Sequence, residues 1–122
     1  MSYQNPWSMH YQSSWHERSG NPRLPLWLRV TSLAYGAHRM NGHAVFGPGD
    51  VAMCLSRVDH ETGELVVPSR STVRNAITRA MEYGFLAQGS GSRCLVVPPH
   101  AVRGGLGTAF ESCRYHDRKR PA

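Results

Sequence analysis

Cysteine is scarce in this chain. Three residues, Cys54, Cys94 and Cys113, are an odd and widely spaced set, which excludes the disulfide framework that staples many small secreted domains. A reducing cytoplasm is therefore the expected setting, or the nucleoid if the source is bacterial. Long apolar runs are missing too: nothing approaches the roughly 18–20 residues that span a bilayer. The N-terminus has neither the basic start nor the apolar stretch of a secretory signal. No membrane partner is expected. The sequence has no Walker loop, no HExxH and no dinucleotide fingerprint. Its seven histidines are scattered, without a nucleophile or carboxylate placed to work with them, so no enzyme and no cofactor are expected. Lysine is nearly absent: of 14 basic residues only Lys119 is lysine. Arginine suits bidentate contacts to phosphate and guanine, and a GC-rich genome would produce the same bias.

What is present is modest apolar content and a strong positive balance. Hydrophobic residues make up 40% of 122, with a mean hydropathy of -0.44, enough for one domain and some polar length besides. The formal charge of +6 and a pI near 9.8 favour a polyanionic partner.

Residues 69–97 organise the rest. Val73, Ala76, Ile77, Ala80 and Met81 fall at i, i+3, i+4, i+7 and i+8, which predicts one buried helix face. Every formal charge in residues 69–79 is positive, and the first acid is Glu82. Ser69 or Ser71 caps the helix and Gly84 ends it. Phe85-Leu86 predicts a strand, Gly89-Ser90-Gly91-Ser92 a turn, and residues 93–97 the return strand.

Upstream, Pro25 fits the first turn of a helix whose stripe is Leu26, Val30, Leu33, Ala34 and Ala37, with Arg29 outside it. Residues 43–46 predict a small strand. Pro48 and Asp50 open another helix, with Val51, Ala52, Leu55 and Val58 as its buried face. Residues 57–68 read as a solvated polar link turning at Gly63; the spacing of Asp59, Glu61 and Glu64 matches no calcium loop. Before residue 24 the aromatics Tyr3, Trp7, Tyr11 and Trp15 recur every four residues, a stripe that could dock if helical. Pro6, Pro22 and the Ser and Gly content favour a mostly disordered arm. After Pro98-Pro99, the glycines at 104, 105 and 107 and the basic residues Arg114, Arg118, Lys119 and Arg120 read as a flexible basic tail. The expected organisation is an arm over 1–23, a domain over 24–102 and a tail over 103–122.

This order of helix, strand, helix, helix and hairpin resembles winged helix-turn-helix DNA-binding domains. The residues FGPGDVAMCL are similar to a second-helix entry. Those from Ser69 to Pro98 resemble the recognition helix and wing of small actinobacterial and phage proteins, most specifically at Tyr83-Gly84-Phe85-Leu86. The resemblance implies an α+β fold: a three-helix winged helix-turn-helix with a C-terminal β-hairpin wing and disordered termini. It departs from the family in the length of the link over residues 57–68. It implies sequence-specific binding of double-stranded DNA, by a transcription regulator of phage or mobile-element type. Arg70, Ser71, Thr72, Arg74, Asn75 and Arg79 would then meet the major groove, with Arg74 suited to guanine and Asn75 to adenine. Ser71, Thr72 and the helix N-terminus suit phosphates. Arg93, Ser90 and Ser92 would meet the adjacent backbone or minor groove. Pairing of half-sites makes a homodimer an expected partner.

Two alternatives stand beside this. The same fold could be a protein-interaction module for a host or phage protein, without specific DNA binding. Cys113 and His116 form a C-x-x-H pair, and with Cys94 and His100 would supply four zinc ligands. Cys94 in mid-strand and the glycine-rich stretch before Cys113 argue against convergence, so no metal is expected.

Overall fold

The structure is a computed structural model that describes residues 8–101, 104–107 and 112–116. Among these the chain forms four helices, α1 Gln12–Ser19, α2 Leu26–Ala37, α3 Asp50–Cys54 and α4 Arg70–Glu82. Four short strands accompany them: β1 His43–Val45, β2 Arg57–Val58, β3 Leu65–Val66 and β4 Cys94–Val96. The fold is mixed α+β, with two small antiparallel sheets, β1–β4 and β2–β3.

The core forms where the apolar stripes of α2 and α4 meet. Val30, Leu33 and Ala34 pack with Val73, Ala76, Ile77 and Ala80, joined by Val51 and Leu55 around α3 and by Ala44 and Leu95 from the β1–β4 sheet. Pro25 is the N-cap of α2 rather than its first helical residue, and it holds the extended φ and ψ that start the helix cleanly. The N-cap of α4 is Ser69, whose Oγ accepts the Thr72 N–H at 3.2 Å. At its other end the Phe85 N–H reaches the Ala80 carbonyl and the Gly84 N–H the Met81 carbonyl. These paired bonds make a Schellman stop, which needs the left-handed φ of 83° found at Gly84.

Five further expectations need correction. Arg29 is not outside the α2 stripe: it is 3% exposed. Its Nε donates to the Ser19 carbonyl at 2.8 Å, and its terminal nitrogens donate to the carbonyls of Leu55, Cys54 and Ser56 at 3.1, 3.2 and 3.4 Å. One guanidinium thus caps the C-terminal ends of both α1 and α3, where helix carbonyls lack partners and a positive charge is favoured.

Second, residues 12–19 are not an arm. They form α1 on α2, with the Trp15 and Tyr35 ring centroids 5.2 Å apart and Gln12 donating to the Tyr35 and His38 carbonyls. A Cβ at Gly36 would lie 2.8 Å from the backbone N of His16, so the close approach of α1 depends on glycine there. Tyr3 and Trp7 lie outside the described residues.

Third, residues 57–68 hold a small hairpin, not an open link. β2 and β3 pair Arg57 with Val66 and Val58 with Leu65, and the Asp59 carboxylate accepts the Glu61 N–H inside the turn. Val58 is therefore exposed rather than part of the α3 face.

Fourth, Phe85-Leu86 is not a strand, so the expected wing hairpin is not regular. β4 pairs instead with β1, matching Val45 with Cys94 and His43 with Val96. The outgoing arm touches the return through the Ala87 N–H on the Val96 carbonyl at 2.8 Å.

Fifth, described parts of the expected tail fold back. Leu106 bridges to Arg39, and Cys113 is 3% exposed. Arg118, Lys119 and Arg120 lie outside the described residues.

Candidate nucleic-acid interface

The outer surface of α4 carries the candidate contacts, and helix geometry sorts them. At about 100° per residue, Ser71, Asn75 and Thr78 lie within about 30° of the direction opposite the buried stripe, while Arg70 and Arg74 lie along one flank. Thr72 and Arg79 lie along the other, with Arg79 about 140° round the helix from Arg74. All six sequence candidates on α4 are exposed. Ser71 and Thr72 also join the helix cap: their hydroxyls lie 3.2 and 2.9 Å from the Ser69 Oγ.

An open groove runs beside the Arg70 flank. Arg70, Arg74 and Thr78 line it from α4, Ser90, Gly91, Ser92 and Arg93 from the turn before β4, and Pro48 and Gly49 from the entry to α3. Buried Val73 and Ile77 contribute its apolar floor. The structure thus gathers Arg70, Arg74, Ser90, Ser92 and Arg93 around one concavity. It leaves Ser71 and Asn75 on the crest of α4, and Thr72 and Arg79 on the far flank. Thr78 is a groove residue that sequence reasoning missed, although it sits one turn from Arg74.

The turn is fixed by its own small residues. Ser90 Oγ donates to the Ala87 carbonyl at 2.8 Å and accepts the Val96 N–H at 2.9 Å, so Ser90 is partly occupied internally. Arg93 Nε donates to the Phe46 carbonyl at 3.0 Å while the residue stays exposed. That bond aims the rest of the guanidinium and reduces the freedom it would lose on meeting a phosphate.

The cysteines give a different outcome from the one expected. Cys94, Cys113 and His116 do come together, but the fourth member is His43 rather than His100. The Cys94 Sγ lies 3.4 Å from His43 Nδ1 and 3.7 Å from the Cys113 Sγ, which lies 3.4 Å from His116 Nδ1. Burial, with the Cys113 thiol beside it, pushes the Cys94 pKa up to about 12. Burial also opposes ionisation of Cys113. Against it, the backbone N–H and ring of His116, the Tyr115 N–H and the Cys94 thiol hold the Cys113 pKa below its ordinary value. Cys54 stands apart, exposed at the end of α3.

No helix among the described residues is long and apolar enough to cross a membrane. No family model, no curated protein and no solved structure matches the chain.

Proposed function

We propose that the protein binds double-stranded DNA in the manner of a winged helix-turn-helix regulator. α4 enters the major groove, and the turn over residues 89–93 takes the place of a wing against the neighbouring backbone. The observation that carries this reading is the groove shared by Arg70 and Arg74 on α4 and Arg93 on the turn, with no acid on α4 before Glu82. Guanidinium groups on two rigid elements can span a groove edge and the adjacent phosphates together. Arg74 reads guanine, Asn75 on the crest reads adenine, and Arg70 and Arg93 neutralise phosphate. Ser71 and Thr72 stand near the N-terminal end of α4, which favours phosphate by its dipole. Arg79, on the far flank, is reserved for the opposite strand's backbone.

Fluorescence anisotropy with mixed-sequence duplexes over a salt series tests the reading. A log–log salt slope of about -4 to -5 is expected, for four to six phosphate contacts. The triple variant Arg70→Ala, Arg74→Ala, Arg93→Ala should flatten the slope by about 2, for the two phosphate contacts of Arg70 and Arg93. If that variant, shown folded by circular dichroism, binds duplex as tightly as the parent, the mechanism is wrong.

The β2–β3 hairpin favours a second reading, a protein-interaction module. Val58 and Leu65, 55% and 53% exposed, leave apolar surface in solvent. A partner captured after nuclease treatment, and released by Val58→Ser with Leu65→Ser, would favour that reading over the first.

A further inference from the structure

We infer that His43, Cys94, Cys113 and His116 form a structural zinc site. Their ligand atoms all lie within 4.8 Å of one another. A tetrahedral zinc with Zn–S near 2.3 Å and Zn–N near 2.05 Å has S···S edges of about 3.8 Å and S···N edges of about 3.6 Å. The cluster has an S···S separation of 3.7 Å and S···N separations of 3.4 Å at both histidines. A disulfide needs about 2.05 Å between the sulfurs, so the spacing is that of two ligands around a common centre.

The sheet explains how residues so far apart converge. Val45 pairs with Cys94, so His43, two residues away, shares the face of Cys94 as its diagonal neighbour. Ala44 and Leu95 point the other way, into the core. Cys94 is thus on the face turned away from the core, yet it is fully buried, with Cys113 seated against it.

Supporting contacts complete the arrangement. The His116 ring turns its Nε2 to the Gly89 carbonyl at 2.9 Å, which makes Nε2 the donor and leaves the Nδ1 lone pair facing Cys113. A backbone carbonyl on the second nitrogen is the usual partner of a metal-bound imidazole. The His116 backbone N–H also points at the Cys113 Sγ, at 3.3 Å, a bond that favours thiolate. Two thiolates and two imidazoles suit zinc. Four protein ligands leave no open position, so the site is structural rather than catalytic. Bound metal clamps residues 113–116 to the β1–β4 sheet and steadies Gly89 in the turn that carries Ser90, Ser92 and Arg93.

The full chain, expressed with zinc in the medium and passed through gel filtration, should carry about one zinc per chain by elemental analysis. Cobalt(II) added to the metal-stripped chain should give thiolate-to-cobalt charge transfer together with intense tetrahedral ligand-field bands. His43→Ala and Cys113→Ser should lose the metal, whereas His100→Ala and Cys54→Ser should keep it. The cobalt spectrum of the unaltered chain stands even if a ligand variant fails to fold. Any of three results overturns the inference: a metal content below about a tenth of an equivalent with zinc supplied, a cobalt spectrum without thiolate bands, or a Cys94–Cys113 disulfide in the freshly purified chain.

Discussion

Arg29 and Arg74 are the same residue type on two helices packed against each other, and they have opposite surroundings. Arg29 is buried among four backbone carbonyls from the ends of α1 and α3, while Arg74 faces solvent at the edge of an open groove. Counting arginines therefore overstates the charge available to a partner. The formal charge of +6 includes a guanidinium that already has its acceptors inside the protein. The α4 arginines are the better guide to a polyanion, because no acid precedes Glu82 on that helix.

The contrast breaks most visibly at Arg29. Arg29→Ala removes the donors that satisfy the last carbonyls of two helices, and should cost about 3 kcal/mol or more of stability in urea unfolding. Arg29→Lys keeps the charge but not the planar fork, and should recover less than half of that. A loss below about 1 kcal/mol would mean that water replaces the guanidinium and that the caps matter little.

On α4 the expected pattern is reversed. Arg74→Ala should leave stability within about 0.5 kcal/mol but weaken specific duplex binding by about 1–3 kcal/mol. Arg79→Ala, on the opposite flank, should cost about 1 kcal/mol of binding or less, with equal effect on all sequences. Measuring both variants against matched and mismatched duplexes separates the two flanks of α4. If Arg79 rather than Arg74 carries the sequence preference, the helix meets DNA through its other flank.

The same division, between groups a helix uses for itself and groups it presents, explains what the sequence revealed. α2 and α4 were legible because their stripes, Pro25, Ser69 and Gly84 are local signals, and the α4 contact candidates followed from the helix wheel. Periodicity misplaces Arg29 because it describes a residue's place on its own helix, and the acceptors of Arg29 come from residues 19 and 54–56. His43 could not be linked to Cys94 by spacing, since 51 residues separate them and sheet register brings them together. The C-x-x-H pair was the half of that cluster that spacing could disclose. In residues 57–68 the polar turn was visible, but two-residue strands are too short to show alternation.

α1 lies between these cases. Tyr11 and Trp15 carried a helical stripe, and the composition around them suggested disorder. Gly36→Ala separates the two descriptions by sign. With α1 undocked, alanine in a helix should stabilise by about 0.5–1 kcal/mol. With α1 seated on α2, the new Cβ lies 2.8 Å from the His16 backbone and must displace it, for a loss of about 1–2 kcal/mol.

The smallest expected effect tests the interface without disturbing the helix that carries it. Ser69 caps α4 through its Oγ, so Ser69→Ala should cost about 1 kcal/mol of stability. Aspartate caps as well as serine and complements the positive helix end, so Ser69→Asp should hold stability within about 0.5 kcal/mol. Its carboxylate, however, sits one residue from Arg70, at the helix end proposed to meet phosphate. Duplex affinity should fall several-fold, more at low salt than at high salt, because the new repulsion is screened. A stable Ser69→Asp protein with unchanged low-salt affinity would place that helix end away from the DNA backbone. The exposed arginines of α4 would then have to act through a different face.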